Sequence, residues 1–172
     1  MSTGLLILRV TLGLVLAAHG SQELTYHLGG DGLAGSIKEF ADDGFRGGAL
    51  TALAAGGTQI GAGSLMVIGL LTPIASAGII GVMLVAASTK LRNGPWAQHD
   101  GYEYPLLLAV VALVVAWTGP GAWSLDRLFG LTPWPVTTSA VVTAVGVVAA
   151  AGTRFVLHHP TNTSARRPQA ER

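Results

Sequence analysis

Five apolar runs divide this chain: Leu5 to Leu24, Ala49 to Leu71, Ile74 to Leu91, Tyr104 to Thr118 and Val136 to Leu157. At about 1.5 Å per helical residue, runs of this length approach or exceed the roughly 30 Å of hydrocarbon in a bilayer. In that solvent an unpaired backbone N–H or C=O is costly, so a spanning segment must satisfy its hydrogen bonds internally, as a helix. The pattern predicts an all-α, polytopic membrane protein. Residues 4–128 are expected to form an antiparallel four-helix transmembrane bundle, residues 129–159 an additional C-terminal transmembrane helix, and residues 160–172 a disordered polar tail. The last run reads as the weakest span, because its centre is mostly Ala, Val and Gly and Thr137, Thr138, Ser139 and Thr153 dilute both ends.

Composition narrows the function classes. Half the residues are apolar, 11% are charged, and mean hydropathy is +0.53. A net charge of +1 without a basic stripe gives no footprint for nucleic acid. Cysteine is absent, which excludes disulfides, thiolate metal sites, Fe–S ligation and dithiol exchange within the chain. His19, His27, His99, His158 and His159 show no zinc or haem spacing, and no metal is expected. No GxSxG, P-loop, dinucleotide fingerprint or HExxH occurs, so a non-catalytic membrane subunit is favoured over an independent enzyme and no catalytic residue is assigned.

The first run lacks a basic leader and a small-residue cleavage site, so it reads as a retained helix rather than a signal peptide. Five antiparallel spans put Arg9 and Arg127 on one face. They put Lys38, Arg46, Lys90, Arg92, Arg154, Arg166, Arg167 and Arg172 on the other. The positive-inside rule makes the second face cytoplasmic, with the N-terminus outside and the C-terminus inside a bacterial plasma membrane. That assignment turns on whether Val136 to Leu157 spans. In the long connection Thr25 to Gly48, Ser36-Ile-Lys-Glu39 is a capping-box pattern that predicts a short helix lying against the bundle. Small residues at helical spacing predict close packing at Gly13/Ala17, Gly57/Gly61 and Gly78/Gly81, with a homo-oligomeric seam as the alternative use.

Polar groups inside or beside the spans need partners. Arg9 and Asp126 fall on one face and are expected to form a structural ion pair. The opposite face is richer. His19, Gln22 and Glu23 share one side of the first helix, while Gln98, His99, Tyr102, Glu103 and Tyr104 gather at the start of the fourth, where Pro105 suits a first turn. Gln59, near the middle of the second long helix, either joins them or locks two helices together. Such a cluster can bind a quinone headgroup, relay a proton, hold a partner protein, or simply pin helix ends.

The segments LRVTLGLVLAAHGSQEL from Leu8, IGLLTPIASAGIIGVMLVA from Ile68, NGPWAQHDGYEYPLLL from Asn93 and GPGAWSLD from Gly119 together resemble the DoxX family of small bacterial membrane proteins, over roughly residues 6–128. The resemblance implies a four-helix membrane module, often linked to redox systems. Relatives include a membrane subunit attributed to thiosulfate:quinone oxidoreductase and a mycobacterial scaffold for thiol and superoxide defence enzymes. Two positions depart from the family's pattern: Glu23 stands where a Lys commonly follows the first-helix Gln, and Gln59 where Glu often precedes Gly-Gly. The expected function is an integral membrane subunit that contacts membrane lipids and anchors or organises a soluble or peripheral oxidoreductase. The alternatives are a quinone-interacting redox subunit, with quinone bound by His19, Glu103 and Tyr104, and a small-solute or lipid transporter.

Overall fold

The structure, a computed structural model, describes residues 2–159. Seven α-helices follow one another: α1 (Ser2–Leu24), α2 (Gly32–Asp42), α3 (Ala49–Ile68), α4 (Thr72–Thr89), α5 (Glu103–Thr118), α6 (Leu125–Leu128) and α7 (Val136–Leu157). No strand occurs among the described residues, apart from one isolated bridge between Phe45 and His158. The expected tail, 160–172, lies outside the described residues.

Among the described residues, four helices are long and apolar enough to cross a membrane: Thr3–Leu24, Ala49–Ile68, Thr72–Asn93 and Val136–Leu157. The run expected to be weakest, Val136–Leu157, has the highest mean hydropathy of the four, 1.9. Its Ala and Val content dilutes bulk, not apolarity. The short member is α5, whose 16 residues reach only about 24 Å. Many large side chains of the spanning helices face outward, among them Ile7, Leu14, Leu53, Val148 and Phe155, as a lipid solvent allows. The core lies between α1, α3, α4 and α5, with Leu12, Leu16, Met66, Ile79, Met83, Ala112 and Val115 at its centre.

The tightest seam joins α1 to α3. A Cβ on Gly13 would meet the Gly63 carbonyl at 2.5 Å, one on Gly20 the Gly56 carbonyl at 2.5 Å, and one on Gly63 the Gly13 carbonyl at 2.7 Å. The residues used on α3 are therefore Gly56 and Gly63, not the expected Gly57 and Gly61, which are exposed with nothing within 4 Å. Both pairs are spaced for one helix face, and only the docking of α1 decides which face is buried. On the other side of α4, Gly146 of α7 brings the chain close to Ala77 and Ile80, where a Cβ would lie 2.9 Å from the Ala77 carbonyl and from Ile80 Cγ2.

Helix α2 begins at Gly32, so Ser36 is an interior residue and not the cap its sequence pattern suggested. It packs against α1 and α3 and covers the end of α1, where the Ser36 hydroxyl donates to the Glu23 carbonyl at 2.7 Å. The end of α7 closes on the same region. Arg46 N–H donates to the Leu157 carbonyl at 2.9 Å and His159 N–H to the Gly44 carbonyl at 2.8 Å. The Phe45 and His158 rings meet edge to face at 5.3 Å.

Candidate functional site

The predicted polar cluster divides into two parts. The first is buried between α1 and α3. Gln59, 2% exposed, stands about 15 Å along α3 from Ala49. Its Nε2 donates to Glu23 Oε1 at 2.6 Å. The His19 Nε2 lies 3.8 Å from the same oxygen. Because α2 caps α1 here, Glu23 is enclosed by protein and not set at an open helix end. Gln22 turns the other way and donates to the Leu28 carbonyl at 2.7 Å, fixing the turn that leads into α2.

The second part is the connection between α4 and α5. The Glu103 carboxylate accepts from the Ala97 N–H at 2.9 Å, while Glu103 N–H donates to the Pro95 carbonyl at 2.9 Å. Glu103 thus folds the connection back on itself. Gln98 and His99 are exposed, and Tyr102, half-buried, donates its N–H to the Gly94 carbonyl at 3.2 Å. Asp100 takes a left-handed conformation at φ 55, which a short polar side chain tolerates better than most, and pairs with Lys90.

A cavity of about 360 Å³ links the two parts. Its polar lining residues include His19, Glu39, Lys90, Asp100 and Tyr104, and its apolar ones Val15, Leu16, Met83 and Leu108. Of the residues singled out from sequence, it gathers His19 and Tyr104. It leaves Gln22, Glu23, Gln59, Gln98, His99, Tyr102 and Glu103 out of its lining. Glu39 and Asp100 are the additions: Glu39 is brought in by the earlier start of α2, and Asp100 by the fold of the connection onto Lys90. Asp100 carries no spacing signal because an irregular segment places it, whereas Glu39 lies on α2 and is brought in by the docking of that helix. Among the described residues, no group of three or more His, Asp or Glu side chains converges as a metal site would.

On the opposite face Arg9 and Asp126 are both buried, at 1% and 0% exposure, yet no direct ion pair joins them. Arg9 Nη2 donates to the Trp123 carbonyl. Asp126 accepts from the N–H groups of Leu71 and Thr72, from the Thr72 hydroxyl and from Trp134 Nε1. Gly69 stands between them: its carbonyl accepts from Asp126 N–H at 2.8 Å, and a Cβ there would overlap the Arg9 guanidinium at 1.4 Å. The expected pair is replaced by two separate hydrogen-bonded anchorages, because the left-handed turn at Gly69 and Leu71 presents free N–H donors to the carboxylate first.

This is a helical membrane module with a polar cavity at one end of its helices. The chain belongs to the DoxX family, whose family model matches residues 4–91. The match covers α1 to α4 and ends at the start of the connection to α5. No curated protein and no solved structure matches the chain.

Proposed function

We propose that this DoxX-family membrane protein serves as the membrane subunit of an oxidoreductase system and binds the ring of a quinone in the cavity between α1, α4 and α5. The observation that carries this reading is the lining: His19, Lys90 and Tyr104 share one cavity with Val15, Leu16, Met83 and Leu108. A quinone ring needs donors for its two oxygens and an apolar surface for its face and tail. Imidazole, ammonium and phenol supply the donors. Glu103 leaves the ligand set proposed from sequence, since its carboxylate is engaged by Ala97.

Calorimetric titration of the purified protein in detergent with a short-chain benzoquinone tests this. Saturable binding that weakens about tenfold, roughly 1.4 kcal/mol, in Tyr104→Phe and in Lys90→Met is the expected result. Binding that is absent in the wild type, or unchanged in both variants, rejects it.

A second reading, docking of a soluble oxidoreductase, is favoured by the connection itself, where Leu91 and Trp96 are each 57% exposed beside exposed Gln98 and His99. An exposed Trp among polar residues is the composition of an interaction hot spot. Co-purification in mild detergent that is lost on Trp96→Ala supports it. With the shorter α5 taken as a fifth crossing, the length and apolarity of α7 support an odd number of crossings, hence the orientation with N-terminus outside and the more basic face in the cytoplasm.

A further inference from the structure

Between α1 and α3, a single hydrogen bond joins two side chains that are each left with an unused acceptor. Gln59 Nε2 donates to Glu23 Oε1, while Glu23 Oε2 and Gln59 Oε1 are both buried without any partner. An amide oxygen and an ionised carboxylate oxygen are acceptors only, so in that state neither can satisfy the other. A buried acceptor without a donor is destabilising, and this pair holds two of them. A carboxylic acid has the O–H donor that the pair lacks. We infer that Glu23 is a proton-binding site, with the proton carried on Oε2 and shared with Gln59 Oε1.

The surroundings fit a proton better than a metal cation. The groups facing the site are His19 from α1, Glu39 and Ser36 from α2, and Gln59 from α3. Across the cavity stand Lys90 and Asp100, and Tyr104 of α5. The Ser36 hydroxyl is already given to the Glu23 main-chain carbonyl. Two free oxygens are too few for a hard cation, which collects six or so. Glu39 adds a second negative charge nearby, and the Lys90 ammonium is engaged by Asp100.

His19 supplies the route. Its side chain is 55% exposed, lines the cavity, and lies 3.8 Å from Glu23 Oε1. A hydronium ion that reaches the cavity beside His19 gives up its proton to the carboxylate, where it settles on the free Oε2. The net change is one proton moved from hydronium to Glu23, which leaves a water molecule behind. The site does not depend on which molecule occupies the cavity.

Infrared spectra of the full chain in lipid vesicles, recorded from about pH 5 to about pH 9, test the inference directly. The wild type should show a protonated-carboxyl C=O stretch that is retained at neutral pH and lost in Glu23→Gln. Gln59→Leu, which keeps Glu23, should shift that band to higher frequency by removing its hydrogen-bond partner, and it decides the matter where Glu23→Gln does not fold. Identical spectra for wild type and Glu23→Gln, or a band indifferent to Gln59→Leu, overturn the proposal. So does displacement of the band by sodium at constant pH, which makes the ligand a metal cation.

Discussion

The Asp126 carboxylate holds Thr72 twice, through the backbone N–H at 3.0 Å and through the hydroxyl at 2.5 Å. It also accepts from the Leu71 N–H at 2.7 Å. No side chain local to α4 caps that helix. A residue from α6 does so instead, placing a negative charge at the positive end of the helix dipole.

Removing that cap should be costly. Asp126→Ala should lower stability by about 1–3 kcal/mol and Thr72→Val by about 1 kcal/mol. Thermal unfolding in detergent measures both, and midpoints equal to the wild type in both would refute the capping role. In double-mutant cycles, Asp126 should couple more strongly to Thr72 than to Arg9, since only Thr72 touches it.

The glycines of α3 should separate sharply by face. Gly63→Leu forces a side chain into Gly13 and Ala17 and should destabilise by about 3 kcal/mol or more, beyond ordinary overpacking. Gly57→Leu points into open space and should be neutral to mildly stabilising, since Gly is a poor helix former. Equal thermal stability of the two variants would contradict the seam.

Arg154 ties α7 to α4, donating from Nη1 to the Ser88 carbonyl at 3.1 Å and to its hydroxyl at 2.9 Å. Arg154→Leu removes a charged donor and should cost about 1.5–3 kcal/mol. Proteolysis in detergent should then cut the α6–α7 connection faster while leaving the α3–α4 turn protected. Unchanged cleavage at both sites would show that packing alone holds α7.

The junction of α7 with Phe45 should loosen in acid. Partial burial pushes the His158 imidazole below its ordinary value, and the charges of Arg154, Arg92 and His159 push it further the same way. The folded junction therefore binds fewer protons than the open one. Its stability is complete above the unfolded value of about 6.5 and is lost as pH falls through the folded value. Hydrogen exchange at the Arg46 and His159 amides, corrected for intrinsic rates, should speed up on acidification in the wild type. In His158→Phe that dependence should vanish; if it persists, another group is responsible.

Much of this architecture is legible in the chain. Apolar runs fix the helices because lipid leaves the backbone no other way to satisfy its hydrogen bonds, and that holds whatever the neighbours are. The need of Arg9, Glu23, Gln59 and Asp126 for partners is legible for the same reason, as is the Glu23–Gln59 neighbourhood, since both residues lie on helices of known period. Which partner each one takes is not. Asp126 finds Thr72 instead of Arg9 because a left-handed turn at Leu71 exposes N–H donors, a feature of backbone geometry without a residue signature. Gly56 and Gly63 are buried while Gly57 and Gly61 face outward because helix docking selects one of two faces, each with glycines at helical spacing. Glu39 reaches the cavity because α2 docks against α1, and Asp100 through an irregular segment, where periodicity carries no information. The sequence by itself determined the helices and the polar groups that lipid would not tolerate alone. Tertiary structure decided the pairings, because distance between residues remote in the chain is set only when the helices dock.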